Sequence, residues 1–509
     1  MTLKSTINLR RRAVRTVPAA ATPTRPPTPR RSTAAHLARR LGRTVWLWPA
    51  LLTLLVTAFR ADDAELWRDE LATWSAASRP ADELLRLVGN IDAVSAPYYL
   101  FMHGWTALFG DSIVALRAPG ILCMTAAAAL TARLGARLFG NRVALIAGLL
   151  FAVLPTTSRY AQEARSYAFA TLLAVVATLL LVRALDRPSW RRWLGYGAAV
   201  TALGLAHLVA VTLVAGHAVA VLLVWRRNAD RRVLRWVPAV TTAGLALTPL
   251  LVLGVTQQGQ QLEWVSRSRL SALPDLPGGI FQSAAVGGMV LGLAALGWAL
   301  RNRWAHLLGM SALLPTALLF LAGMAMQIFV PRYLVFTVPM ICLLAAAALA
   351  TIQLRAAMLI VLAVCVFGAP AQAGLRRTHE WPRSAPREYS AAARIIGAHQ
   401  RPGDTIVYGS RTGWAFLDTA VAYHLGDDRP RDVLATRSQT QRASLWASEC
   451  AEPARCLAGA DRVWVLTVGD RRDPLQGMAR PKLTALRDAF TVDRVWPVPG
   501  LTVALLTRR

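Results

Sequence analysis

Three carboxylates and a set of arginines carry the chemistry this chain could do. Asp69 and Glu70 stand side by side in Trp67-Arg68-Asp69-Glu70, just beyond the first long apolar segment at 45–59. Adjacent residues on a helix point about 100° apart, so only one of the pair can lead at a single site. Glu163 lies later, in Ser158-Arg159-Tyr160-Ala161-Gln162-Glu163-Ala164-Arg165-Ser166-Tyr167, with an arginine on either side. A hydroxyl is a poor nucleophile, and a carboxylate within about 3 Å can take its proton as the new bond forms. Arg117, Arg165 and Arg332 could stabilise charge growing on a phosphate leaving group. Each arginine also fits a side chain snorkelling to lipid headgroups, and each acid fits a solvated or salt-bridged loop. A lipid-phosphate substrate makes the two arginine readings coincide. A partly dry carboxyl at a bilayer border is pushed up in pKa unless an arginine compensates. His207 and Trp264 are weaker candidates: a lone imidazole at a helix end is commonly interfacial, and a tryptophan can stack on a sugar or anchor the interface. Glu263 carries less still. No tight metal-ligand spacing joins the histidines and acids, so no cofactor is expected, while a divalent cation shared between distant loops stays open.

A membrane protein must position these residues. Of 509 residues, 17% are charged and 55% hydrophobic, where a soluble chain carries about 25% charged. Eleven apolar segments read as spanning helices: 45–59, 112–132, 143–157, 168–183, 193–208, 209–225, 236–254, 282–300, 305–325, 333–351 and 356–370. They are too long for barrel strands and lack alternation. Arginines gather on alternate turns, at Arg133, Arg137 and Arg142, then Arg183 to Arg192, Arg226 to Arg235, Arg301 and Arg303, and Arg355. By the positive-inside rule these face the cytoplasm, which leaves 60–111, 158–167, 255–281 and the tail extracytoplasmic. Orientation and anionic lipid thus account for the formal charge of +29, and no nucleic acid partner is expected. Within 60–111, the stretches 64–78, 82–87 and 98–109 read as short interfacial helices, with Pro97 suited to a first helical turn.

The two ends differ from the bundle. Residues 1–43 hold eleven Lys/Arg, no acid and a Pro/Thr run, and read as a disordered basic cytoplasmic tail on anionic lipid. Residues 44–370 read as one transmembrane domain. Residues 371–509 read as a small extracytoplasmic α/β domain, with a helix at 389–399 and strands at 405–408, 462–468, 492–496 and 501–506. Gly409-Ser410-Arg411-Thr412-Gly413 lacks the Lys-Ser/Thr pair of a phosphate loop and reads as a turn. Cys450 and Cys456 can close a short disulfide in an oxidising compartment or stay free thiols. Cys123, Cys342 and Cys365 fall in apolar runs as small core hydrophobes. The Arg/Ala-rich composition fits a GC-rich bacterial genome and a plasma-membrane location.

Several short motifs then recur in order. Trp67-Arg68-Asp69-Glu70 follows the first span, then come Ser95-Ala96-Pro97-Tyr98-Tyr99, Leu108-Phe109-Gly110 and Leu116-Arg117-Ala118-Pro119. Gln162-Glu163-Ala164-Arg165-Ser166-Tyr167 and Pro331-Arg332-Tyr333-Leu334 complete the set. In these the chain resembles the GT-C glycosyltransferases, the family 39 and RgtA/B/C/D-like group of polyprenyl-phosphate-sugar-dependent enzymes, over about 45–370. The resemblance implies a GT-C-like fold of about eleven transmembrane helices and transfer of a sugar from a polyprenyl-phosphate donor to a hydroxyl of an envelope glycan, lipid or protein on the outer face. It implies Asp69 as general base and Glu163 as a helper positioning the acceptor or Asp69. The donor- and substrate-binding set on this reading is Glu70, Tyr98, Arg117, Arg165, Tyr167, His207, Trp264, Arg332 and Tyr333. Arg68, beside the aspartate, receives no family role. Direct attack would invert the anomeric centre, whereas retention needs a second carboxylate as nucleophile. The rival readings are a transporter or flippase for a lipid-linked saccharide and a membrane-anchored binding protein. Transporters place ionisable groups at midplane, whereas the acids here crowd the loops, which favours surface chemistry.

Overall fold

The computed structural model describes residues 44–261, 264–300, 302–380, 386–411 and 415–509. The basic tail 1–43, Glu263, Arg301 and the Thr412-Gly413 end of the glycine-bounded turn lie outside these residues.

All eleven apolar segments are helical. The first is α1 (Leu47–Ala58), and the polar stretch after it folds into α2 (Arg68–Ala77), α3 (Ala81–Asn90) and α4 (Ala96–Phe109). The bundle continues with α5 (Ile113–Phe139), α6 (Asn141–Val153), α7 (Pro155–Ala161), α8 (Tyr167–Asp186), α9 (Trp190–Ala206), α10 (Leu213–Asn228) and α11 (Trp236–Gln261). It ends with α12 (Leu276–Phe281), α13 (Ala284–Ala299), α14 (Arg303–Ala325), α15 (Val338–Leu349) and α16 (Leu354–Arg377). Among the described residues seven helices are long and apolar enough to cross a membrane, or nine if each of two bent pairs is one span. The remaining two of the eleven are shorter: α1 has 12 residues, and the 17-residue α9 opens on Trp190-Arg191-Arg192-Trp193.

Both bends have local causes. Pro155 cannot donate a backbone hydrogen bond, so α6 stops at Val153 and α7 restarts at a 64° angle. At the second, Gln282 adopts φ 63° and the Ser283 hydroxyl accepts from Val286 N, which caps α13 after a 95° turn. Each bend re-aims the chain that follows, and the first places the loop carrying Glu163 beside α2.

The C-terminal region adds α17 (Tyr389–His399), α18 (Leu417–Leu425), α19 (Pro453–Cys456) and α20 (Arg480–Ala489) to seven strands. These are β1 (Thr405–Tyr408), β2 (Arg431–Asp432), β3 (Ala435–Arg437), β4 (Ser448–Glu449), β5 (Arg462–Val468), β6 (Phe490–Val498) and β7 (Leu501–Arg508). A five-stranded sheet runs β2-β1-β5-β7-β6, parallel across β2, β1 and β5 and antiparallel beyond, while β3 and β4 form a separate pair. β1 is buried throughout and β5 at its five central positions, as expected of strands covered on both faces. Cys450 and Cys456 are joined in a disulfide, which settles the open choice between bridge and thiols.

One core fills the helical bundle. A second joins Leu71, Leu84, Leu87, Tyr98 and Tyr99 of the first loop to Tyr389, Ile406, Trp464 and Leu466 of the sheet region. The C-terminal region is therefore packed on the first loop rather than tethered to the bundle.

Candidate active site

The site begins with a carboxylate that does not face it. Glu70 accepts from Arg117 Nε at 2.9 Å and Arg117 Nη2 at 2.6 Å, and both side chains are fully buried. It also accepts from Ala164 N at 3.0 Å and Trp67 N at 3.4 Å. Arg117 spends its remaining donors on the carbonyls of Ala61, Ala64 and Glu65, at 2.7, 2.8 and 3.1 Å. Burial alone would raise the Glu70 carboxyl, but the Arg117 guanidinium, with His379 beyond it, holds it well below the usual range. One satisfied ion pair thus knots the first loop, α5 and the Glu163 loop together. Glu70 and Arg117, expected on the donor, are buried against each other, and neither is among the residues that line the cavity described next. Tyr98 is likewise buried, with its ring edge-on to Phe169 at 5.6 Å, and does not line that cavity.

This knot aims Asp69, the neighbour of Glu70, in a different direction. Asp69 lines a cavity of about 270 Å³ between the first loop and the ends of the bundle helices. Arg165, Tyr167, His207, Trp264, Arg332 and Tyr333 also line it, so seven of the eleven candidate residues converge there. Arg332 Nη2 lies 3.4 Å from Asp69 Oδ2. Its guanidinium is caged by the rings of Trp264, Trp67 and Tyr333, at 5.3, 5.7 and 6.0 Å from their centroids. Such a cage holds a cation while leaving its N–H edge free to bond. Tyr167, His207 and Tyr333 pack as a ring cluster, with His207 and Tyr333 centroids 5.1 Å apart. Arg332 Nε and His207 Nδ1 are buried with no hydrogen-bond partner, which is unusual in a folded protein and marks groups a bound molecule could satisfy.

Glu163 lies behind the wall rather than on it. It is buried, its nearest cation is Arg159 Nη2 at 3.5 Å, and neither carboxyl oxygen has a hydrogen-bond partner. Burial pushes it up to about 7 against the pull of Arg159, and the negative charge of Asp69 adds to the rise. Two acids of one site are thereby held in different environments, Asp69 against a cation and Glu163 in a dry pocket.

Sequence reasoning missed Asp92, Arg68 and Leu445, all on the cavity wall. Asp92, at φ 60°, accepts from Ser95 Oγ at 2.9 Å and from the Tyr99 hydroxyl. Tyr99 in turn accepts from Arg165 Nη1 at 3.1 Å. An acid three residues before the Ser95-Ala96-Pro97 helix start was the available signal. Among the described residues no group of three or more His, Cys, Asp or Glu side chains converges as metal ligands.

A family model described as dolichyl-phosphate-mannose-protein mannosyltransferase matches residues 96–253. No curated protein matches the chain by sequence. Among solved structures, ArnT from Cupriavidus metallidurans in the apo state aligns with a TM-score of 0.59 at 14% identity, over 92% of this chain and 98% of that one. The same protein bound to undecaprenyl phosphate aligns with a TM-score of 0.59 at 14% identity, over 93% and 98%. The arabinofuranosyltransferase AftD from Mycobacteria aligns with a TM-score of 0.53 at 18% identity, over 92% of this chain and 40% of that longer one. At such identities the likeness is one of architecture, and by it this multi-pass membrane chain has the fold of the GT-C glycosyltransferases.

Proposed function

We propose that the protein transfers a glycosyl residue from a polyprenyl-phosphate-linked sugar to an acceptor hydroxyl in the cavity shared by Asp69 and Arg332. The observation that carries this reading is one cavity holding Asp69 with Arg68, Arg165 and Arg332, open on its other side to the apolar Leu251, Gly254 and Val255 of α11. Cations beside an apolar wall suit a phosphate carried on a lipid. The neighbour of this fold bound to undecaprenyl phosphate supports the same donor class.

The acceptor oxygen attacks the anomeric carbon as the bond from that carbon to the phosphate oxygen breaks. The proton passes to Asp69, and the electron pair leaves with the polyprenyl phosphate. Arg332 lies within ion-pair distance of Asp69. A donor phosphate competes for Arg332 and leaves the Asp69 carboxylate to the acceptor hydroxyl. Attack in one step inverts the sugar carbon. Glu163 acts from behind the wall, through its charge on Asp69. The one-sided arginine turns support an N-terminus in the cytoplasm of a bacterial plasma membrane, with the catalytic loops and residues 371–509 outside.

The test is transfer from a panel of radiolabelled polyprenyl-phosphate sugars in membranes, comparing the intact protein with Asp69→Asn. Sugar-specific transfer that the variant loses is the expected outcome. Transfer from no donor in the panel, with the protein present and folded, would sink the reading.

A further inference from the structure

Arg68, Arg165 and Arg332 line the cavity, and two of the three are matched by an acid. Arg332 lies against Asp69 directly. Arg165 is matched at one remove. Its Nη1 donates to the Tyr99 hydroxyl oxygen at 3.1 Å, and the Tyr99 hydroxyl donates in turn to Asp92 Oδ2. Tyr99 stands near the start of α4 and is fully buried. A phenolic hydroxyl has one proton to give and lone pairs to accept with, whereas a carboxylate only accepts. The Tyr99 proton is therefore committed to Asp92, and its lone pairs are left to Arg165. Asp92 thus sets the direction of the bond that holds the guanidinium. The backbone at Arg165 is fixed separately, because its neighbour Ala164 N donates to Glu70 Oε1 at 3.0 Å.

Asp92 is itself held in place. It adopts φ 60°, a left-handed conformation that Asp, Asn and Gly reach more readily than other residues. Gln257 of α11 clamps this turn: its Oε1 accepts from Ala93 N at 2.8 Å, and its Nε2 donates to Val88 O at 3.1 Å. One turn back along α11, a Cβ on Gly254 would lie 2.7 Å from Val94 Cγ1, so glycine is what lets the helix come this close. The same helix gives the cavity its apolar Leu251 and Val255. The apolar wall and the arm formed by Asp92, Tyr99 and Arg165 are therefore fixed to one another. We propose that Asp92 is a positioning residue which, through Tyr99, holds Arg165 for the phosphate of a lipid whose chain lies along α11. The phosphate rests on the transfer reading above, whereas the positioning of Arg165 rests on these hydrogen bonds.

The test is binding of undecaprenyl phosphate to the full chain in lipid nanodiscs, followed by native mass spectrometry. Tyr99→Phe removes the hydroxyl and keeps the ring, and Asp92→Gly removes the carboxylate and keeps the backbone angle. Each should weaken binding about tenfold, as expected when a charge-assisted hydrogen bond loses its aim. Asp92→Asn, whose amide oxygen still accepts from Tyr99, should stay within about threefold of the starting chain. Arg165→Gln should itself weaken binding about tenfold, and in that chain neither Tyr99→Phe nor Asp92→Gly should lower it further. A loss that came from poorer folding would persist in the Arg165→Gln chain, so this comparison separates positioning from stability. If Asp92→Gly does not fold, the two Tyr99→Phe chains still decide. Unchanged binding in Tyr99→Phe, or the same further loss on top of Arg165→Gln, overturns the proposal, as does a starting chain that does not bind the lipid phosphate. Transfer assays on the same proteins keep the two readings apart. Unchanged binding with sugar transfer intact sinks the positioning alone. Weakened binding of the expected pattern, with no transfer from any polyprenyl-phosphate sugar, sinks the transfer reading and leaves Asp92 positioning Arg165 for a lipid phosphate.

Discussion

The residue scale turns on how three neighbouring acids are held apart. Asp69 faces the cavity against Arg332 at 3.4 Å, Glu70 is locked to Arg117, and Glu163 sits dry behind the wall. Asp69→Asn keeps size and polarity but removes the proton acceptor, so turnover should fall about 10²- to 10⁴-fold with donor binding little changed. Single-turnover kinetics at saturating donor and acceptor check this, and near-normal turnover would remove Asp69 as base. Glu163 makes a different prediction, because its carboxyl is raised to about 7 from 4.5. A raised acid adds stability that is fully present below the unfolded value, and that is lost as pH rises through the folded one. Glu163→Gln mimics the neutral form, so the variant should gain on the wild type between these two pH values by about 1.4 kcal/mol per pH unit. Paired melting curves across that window read the difference, and parallel curves would deny the dry carboxyl. The place of Asp69 on the cavity wall was foreshadowed by its type and its position just beyond a span. The sequestering of Glu70 was not, since adjacent carboxylates carry the same sequence signal until Arg117, forty-seven positions on, is seen to take one of them.

Elements position these groups through a few polar knots. Arg117 alone bonds Glu70 and three carbonyls from 61–65, so it fixes the path by which the chain leaves α1. Removing one partner strands a buried charge, and Arg117→Met should destabilise the fold by about 3–5 kcal/mol. Thermal unfolding in detergent measures it, with Glu70→Gln and Arg117→Met together losing less than the sum of the two single changes. Equal and additive losses would mean the pair is not coupled. The helices were legible because hydropathy needs only local sequence: all eleven segments are helical, and among the described residues seven to nine spans are long and apolar enough to cross a membrane. The bends were half legible: Pro155 marks one, but nothing in Gln282-Ser283 announces a 95° turn. The turn at Ala443 and Ser444 had no signal at all, because its bonds to Asn90 and Arg79 join residues more than 350 apart. Such contacts come from folding in three dimensions, which a one-dimensional pattern does not carry.

The whole molecule is a bundle whose polar loop region and C-terminal sheet share one core. If the arginine turns face the cytoplasm, a membrane-impermeant thiol reagent should label Ser410→Cys on intact cells. Labelling only after permeabilisation would reverse the orientation and move the proposed chemistry to the other side. The shared core has a further consequence, for the time during which the protein is made. α2 ends at Ala77 and α18, which packs against it, begins at Leu417, a gap of 417 − 77 = 340 positions. At roughly 5–20 residues per second, the apolar face of α2 waits about a quarter of a minute to a minute for its cover. Through that interval the core that Leu71 shares with the sheet region is incomplete. A translation stall or a truncation before 417 leaves this core without its cover from the C-terminal region, so incomplete chains carry their own mark for quality-control proteases.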